Sequence, residues 1–207
     1  MANKEPATKG QRTRQRIVAA AAPVFNQHGY AGSSLADLMK ATGLEKGGIY
    51  RHFSSKEELA AEAFDYTWEE VLRVRVPDAD PADGAIVWLK EVIANFVHRP
   101  SPVAGGCPLL NTATESDDGN AVLRARVTKA LRNWMLRLET VLEEGAKRGE
   151  IRAGVDSRQV ATIIGATLEG ALMMSRLERS DERLRAVQRH LDHYLDTEVA
   201  APKPRRR

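Results

Sequence analysis

The 207-residue chain has one cysteine, Cys107, so no internal disulfide can form, and a reducing cytoplasm is the expected setting. Aromatic residues are scarce, at 5% of the chain, and no period-two alternation marks a β-strand. No uninterrupted apolar run looks long enough to span a bilayer, and no charged-then-apolar leader precedes Thr13, which argues against a secreted protein. There is no nucleophile elbow, Walker A loop, GxGxxG or HExxH, so an enzyme reading has nothing to rest on. Metal ligands are equally thin. His190 and His193 stand three apart near Asp192 and Asp196, but zinc needs three or four convergent ligands, and no further one stands out from ordinary surface carboxylates. A metal-binding regulator would have to rest on that pair alone, so no metal and no cofactor is expected.

What the chain does have is charge, unevenly spread. Residues 1–56 hold nine Lys/Arg and three Asp/Glu, a balance of +6, and the tail 201–207 adds +4. The middle, 57–200, carries eighteen basic and twenty-five acidic residues, a balance of −7. A basic head on an acidic body suits a nucleic-acid-binding module joined to a domain that does not touch nucleic acid. Three regions follow: an arm with the DNA-binding head at 1–56, a helical body at 57–200, and a basic disordered tail at 201–207.

The head is organised around Ser33 to Lys56. Ser34 is a good N-cap, Leu35, Leu38 and Met39 repeat with helical spacing, and Gly43 suits a helix C-cap. A second short helix is expected from about Glu45 to His52. Ile49 and Phe53 would point inward, while Lys46, Gly47, Gly48, Tyr50, Arg51 and His52 face out. Two short helices about a Gly-containing turn form a helix-turn-helix, whose second helix enters the DNA major groove. Lys46 and Arg51 can neutralise phosphates or donate to guanine, Tyr50 and His52 can donate to phosphate, and two adjacent glycines allow close backbone approach. A basic helix that is merely solvated would not need those glycines beside an exposed tyrosine.

The stretches His28-Gly29-Tyr30-Ala31-Gly32-Ser33-Ser34 and Gly43-Leu44-Glu45-Lys46-Gly47-Gly48-Ile49-Tyr50-Arg51-His52-Phe53-Ser54-Ser55-Lys56 strongly resemble the TetR family of bacterial transcriptional regulators. The specific likeness runs from about Thr13 to Ala63. It implies an all-α homodimer of about nine helices per chain, with a three-helix DNA-binding domain and a larger helical domain for ligand binding and dimerisation. It also implies double-stranded DNA with an inverted-repeat operator as partner, a small-molecule effector, and no membrane. Carried over by position, Tyr50 and Lys56 are phosphate contacts, Lys46, Gly47, Gly48, Arg51 and His52 face the groove, and Ser34 at the cap joins the DNA-binding set. Glu45 departs from the pattern, since many members have Ser or Thr there. A carboxylate still caps a helix but repels phosphate.

The remaining helices read in order. Residues 1–12 are expected to be disordered, and the tract Lys9, Arg12, Arg14 and Arg16, just before and inside the first helix, either follows a phosphate backbone or is merely solvated. The first helix spans about Thr13 to Gln27, kinked at Pro23. A capping box at Ser54 or Ser55 opens a fourth helix that ends near Val76-Pro77 and links head to body. Asp80-Pro81 opens a fifth, Cys107 to Ala113 forms a sixth, Ala121 to Arg148 a seventh, Ser157 to Arg179 an eighth and Asp181 to Asp196 a ninth. The eighth is apolar nearly all round, so it is either a core helix or half of a two-fold four-helix interface. The interface reading, which the resemblance favours, takes in Gly165, Leu168, Gly170, Leu172, Leu191 and Tyr194.

Trp68, Trp88, Phe96, Leu110 and Trp134 are candidates to line an effector pocket, and each would serve equally as ordinary core. An effector-free regulator that uses its body only to dimerise is the rival reading. Cys107 follows Gly105-Gly106 and precedes Pro108, a good first helical residue. At a helix N-terminus its thiolate would be favoured, and a Gly-Cys pair there resembles a TetR-like subgroup responding to electrophiles or oxidants. The alternative is a small buried hydrophobe.

Overall fold

Thr8 accepts from the Gln11 backbone N–H while its own N–H donates to the Gln11 side chain, a closed capping box that starts the first helix. This is a computed structural model, and it describes residues 8–202; the arm before Thr8 and the tail cations Lys203, Arg205, Arg206 and Arg207 lie outside them. Helix α1 spans Lys9–Gly32, four residues earlier than Thr13, so the capping box draws Lys9 and Arg12 into a helix rather than leaving them in a disordered arm. The backbone stays helical through Pro23, and the one non-helical residue within the element is Gly29 at φ 73°. The break therefore lies at the glycine, which can adopt that φ, and not at the proline.

Helix α2 is Leu35–Thr42 and α3 is Lys46–Tyr50, with α4 at Lys56–Arg75. Next come α5 (Ala85–His98), α6 (Pro108–Ser116), α7 (Ala121–Lys147), α8 (Ser157–Glu178) and α9 (Glu182–Tyr194), followed by a π turn at Leu195–Val199. Among the described residues there is no strand, only one isolated bridge between Ile151 and Ala200. The fold is all-α.

Two compact units share this order of helices. The first holds the described residues up to Val71 together with Ser101–Lys129, and the second holds Leu72–Pro100 with residues 130–202. A boundary at residue 56 is expected from the charge pattern, but by contacts the first unit continues further. The reason is that Leu59, Ala60, Ala61 and Ala63 of α4, Val103, and Leu123 of α7 complete the same apolar cluster as Ile17, Phe25, Leu38, Ile49 and Phe53.

The second unit packs Trp88, Leu89, Val92, Ile93 and Phe96 of α5 against Leu138 and Leu142 of α7, Ile164 and Leu168 of α8, and Leu191 of α9. Its entry into α5 differs from the expected Asp80-Pro81 start. Pro81–Asp83 forms only a 3-10 turn, Gly84 interrupts it, and the N-terminus of α5 is capped at Ala85 N–H by the Glu150 carboxylate at 2.6 Å. By length and composition α8 is also long and apolar enough to cross a membrane, with mean hydropathy 1.3 over its best window, contrary to the expectation of no such segment. Its inner stripe, Val160, Ala161, Ile164, Leu168 and Ala171, is packed in the core of this unit.

Candidate DNA interface

Helix α2 is set by Ser34, whose hydroxyl accepts from the Asp37 N–H at 3.1 Å while the Asp37 carboxylate takes back the Ser34 N–H at 2.9 Å. The Ser34 hydroxyl also donates to the Asp37 carboxylate at 2.6 Å, and this bond, with the Ser34 N–H second, draws the Asp37 pKa below its ordinary value. Gly43 closes the helix in the left-handed region at φ 66°. The second helix is short: α3 holds only Lys46 to Tyr50, and Arg51 and His52 form a turn beyond it. Ile49 and Phe53 are buried, while Lys46, Gly47, Tyr50 and Arg51 are exposed, Tyr50 at 37%. Gly48 and His52 are half-buried.

The two glycines differ. A Cβ at Gly47 would meet nothing within 4 Å, whereas one at Gly48 would come 3.3 Å from Leu44 Cβ. Gly47 leaves the outer surface bare, and Gly48 lets α3 sit close on its own turn. Glu45 occupies the N-cap of α3, but its side chain makes no capping bond.

What holds α3 in place is Arg14 of α1. Its guanidinium donates to the His52 carbonyl and to Glu62, pairs with Glu58 at 2.6 Å, and lies 4.1 Å from the centre of the Phe53 ring. Arg14 is thus spent on internal partners and is not available to follow DNA, unlike Arg12 and Arg16, which are exposed. Glu58 in turn accepts from the Ser54 hydroxyl and N–H, both at 2.6 Å, while its own N–H donates to Ser55 at 3.1 Å. The Ser54 bonds, with Arg14 behind them, hold the Glu58 carboxyl at about 2. Lys56 is half-buried, donates to the Tyr30 carbonyl at 2.5 Å and lies 4.5 Å from the Tyr30 ring centre.

Two further contacts tie α6 to the end of α1. Where Gly29 breaks α1, the Glu115 carboxylate accepts the Tyr30 and Ala31 N–H groups, each at 2.6 Å. Asn26 donates to the Ala104 and Gly106 carbonyls, and Asn111 donates to the Asn26 and Gly105 carbonyls at 3.0 and 2.9 Å. Gly105 has φ 118°, and a Cβ there would stand 2.5 Å from the Asn26 oxygen, so this loop needs a glycine. Cys107 is the N-cap of α6 with Pro108 at the first helical position, as the sequence implies, and it is 1% exposed.

The structure scatters the five pocket candidates. Trp68 and Leu110 fall in the first unit, while Trp88 and Phe96 lie in the core of the second with Trp134 packed against it. None of the five lines the cleft of the first unit, whose walls include Phe25, Asn26, Tyr30, Phe64, Asn111 and Glu115 and whose free space is about 20 Å³.

The interface candidates also divide. Leu168 and Leu191 are buried in the chain's own core and cannot face a second copy. Leu172 and Tyr194 pack partly against the same core, and a Cβ on Gly165 would strike Met135 at 2.8 Å. Gly170 has nothing within 4 Å. On its face of α8, at helical spacing, lie exposed Ala166, Met173 at 49% and Leu177 at 79%. Among the described residues no group of three or more His, Cys, Asp or Glu is placed to hold a metal, and His190 and His193 are exposed.

Residues 17–63 match the family model described as bacterial regulatory proteins, tetR family, and residues 86–191 match that of the tetracyclin repressor-like C-terminal domain. The chain belongs to the TetR family. It is a helix-turn-helix transcriptional regulator, as its TetR relatives are, and not an enzyme. The regulator LmrA of Bacillus subtilis is 30% identical to it, over 79% of this chain and 86% of LmrA. The transcriptional repressor DhaR of a Mycobacterium species is 25% identical, over 83% of this chain and 86% of DhaR. The crystal structure of a TetR regulator from Chloroflexus aurantiacus is similar at a TM-score of 0.83 and 45% identity, covering 94% of this chain and 99% of that one. The TetR head model begins at Ile17, so the Arg14 anchor precedes the matched stretch.

Proposed function

We propose that this TetR-family chain is a cytoplasmic repressor that binds an inverted-repeat operator as a homodimer and is released by a small-molecule effector. The observation that carries the DNA reading is α3: Ile49 and Phe53 are locked beneath it while Lys46, Gly47, Tyr50 and Arg51 stand bare above. Lys46 and Arg51 read base edges, and Tyr50 anchors phosphate. Repression is supported by the name of its relative DhaR, a transcriptional repressor.

One recognition helix per chain calls for a second copy. The stripe Ala166, Gly170, Met173 and Leu177 supports α8 as its seat, because small residues let helices approach and the two long ones fill the seam. Two-fold symmetry then spaces the half-sites about one helical turn apart, roughly 34–36 Å. The effector acts non-covalently, since the Cys107 thiol is enclosed.

Selection from random duplex DNA, with sedimentation of the chain and of its complex, tests this reading. Enriched sites should be inverted repeats occupied by two chains. Selection of no repeat, or a monomer at micromolar concentration, overturns it.

A further inference from the structure

Glu45 stands at the N-cap of α3 with a fixed main chain and a free side chain. Its carbonyl accepts the Gly48 and Ile49 N–H groups at 2.8 and 3.2 Å, and Leu44 and Ile49 on either side pack into the core of the first unit. The carboxylate itself is given to nothing. It makes no capping bond, it enters no ion pair among the described residues, and the residue is exposed. Lys46, next in the chain, is exposed as well and is not paired with it. The N-terminal residues of a recognition helix are the ones that reach base edges. A carboxylate there is repelled by phosphate whatever the sequence, so it lowers affinity unless a base gives something back. It can only accept hydrogen bonds. In the major groove guanine shows the N7 and O6 acceptors, thymine shows O4 and a methyl group, and adenine sets its N6 donor beside the N7 acceptor. Cytosine shows the N4 donor alone.

We propose that Glu45 is a specificity-determining residue, which accepts a hydrogen bond from the N4 amino group of a cytosine in each half-site and so requires a G·C pair there. The inference rests on the reading of α3 as a recognition helix and deepens it. Guanine or thymine in place of the cytosine brings an acceptor towards the carboxylate, so the wrong pair is rejected and not merely left unbonded. Lys46 beside it has the opposite preference and donates to guanine O6 or N7. Gly47 has no side chain to hold the bases away from either residue, and the space its Cβ would take is open.

The test uses the full chain and selection from random duplex DNA with wild type, Glu45→Gln and Glu45→Ser. Both variants keep the fold, because the carboxylate they replace makes no capping bond and serine is itself a good N-cap. Wild type should select a G·C pair at one position of each half-site. Both variants should lose that preference while the other positions stay unchanged, Glu45→Gln in favour of A·T because glutamine reads adenine. On the wild-type site, replacing that pair should weaken wild type about tenfold and Glu45→Ser by less than about twofold. Retention of the G·C preference in either variant, or a change only at positions where wild type selects A·T, overturns the assignment and leaves Glu45 as a repelling charge. The two readings fail separately: wild type that selects no inverted repeat overturns the regulator reading, whereas the same inverted repeat selected by all three chains overturns the reading of cytosine by Glu45.

Discussion

The Asn111 side-chain amide donates to the Asn26 backbone carbonyl at 3.0 Å, joining two positions 85 residues apart. Asn26 is buried and returns its own amide to the loop that precedes α6. Truncating one partner leaves buried donors or acceptors without bonds, at a cost of about 1–3 kcal/mol. Asn26→Leu and Asn111→Leu should each lower the urea midpoint accordingly. Gly105→Ala should do so as well, because both its φ and its distance to Asn26 oppose a Cβ. Unchanged midpoints would show that this pair contributes nothing to stability.

Acid should loosen the anchor of α3. The Glu58 carboxyl is depressed from 4.5 to about 2, so its contribution is fully present above the unfolded value and is lost as pH falls from about 4.5 towards 2. Wild type should therefore be more stable than Glu58→Gln at pH 6, with the difference closing over that window. A stability difference that does not change between pH 6 and pH 2 would refute the assignment. Lowering the pH should also release Ser54 and weaken the hold on Arg14.

On DNA the two sides of α3 should separate. Lys46→Ala and Arg51→Ala should alter the selected sequence, while Tyr50→Phe should weaken all sites alike. Binding should also fall steeply with salt, as phosphate neutralisation requires. Lys56→Ala differs from these, since Lys56 holds the Tyr30 carbonyl; it should reduce both affinity and thermal stability. Identical selected sites for wild type, Lys46→Ala and Arg51→Ala would remove base reading from these residues.

Two leucines should behave oppositely. Leu177→Asp lies on the exposed stripe of α8 and should yield folded monomers by sedimentation. Leu168→Ala lies in the core and should cost about 2–5 kcal/mol of stability. If Leu177→Asp sediments as wild type does, the dimer uses another surface.

Cys107 should react slowly. Its 1% exposure predicts that maleimide labels the native chain far more slowly than the urea-unfolded chain. Fast labelling of the native chain, with loss of operator binding, would restore the thiol-sensor reading.

Local signals were legible because their physics is local. Ser34 and Gly43 bound α2 by bonds that reach three or four residues, and the spacing of Ile49 and Phe53 alone assigns the inner face of α3. Sequence by itself therefore determined an all-helical chain, its helix-turn-helix and its family. What it left open depended on partners remote in the chain. Arg14 reads as one cation of a basic tract until Glu58 and Glu62, 44 and 48 residues away, claim it. Asp80-Pro81 reads as the start of α5, yet the cap that counts is Glu150, 65 residues beyond Ala85. In α8, apolar residues lie on nearly every side, so composition cannot separate Leu168, which faces the core, from Leu177, which faces out. Only the packing of α5, α7 and α9 makes that choice, because burial belongs to a residue's neighbours and not to the residue.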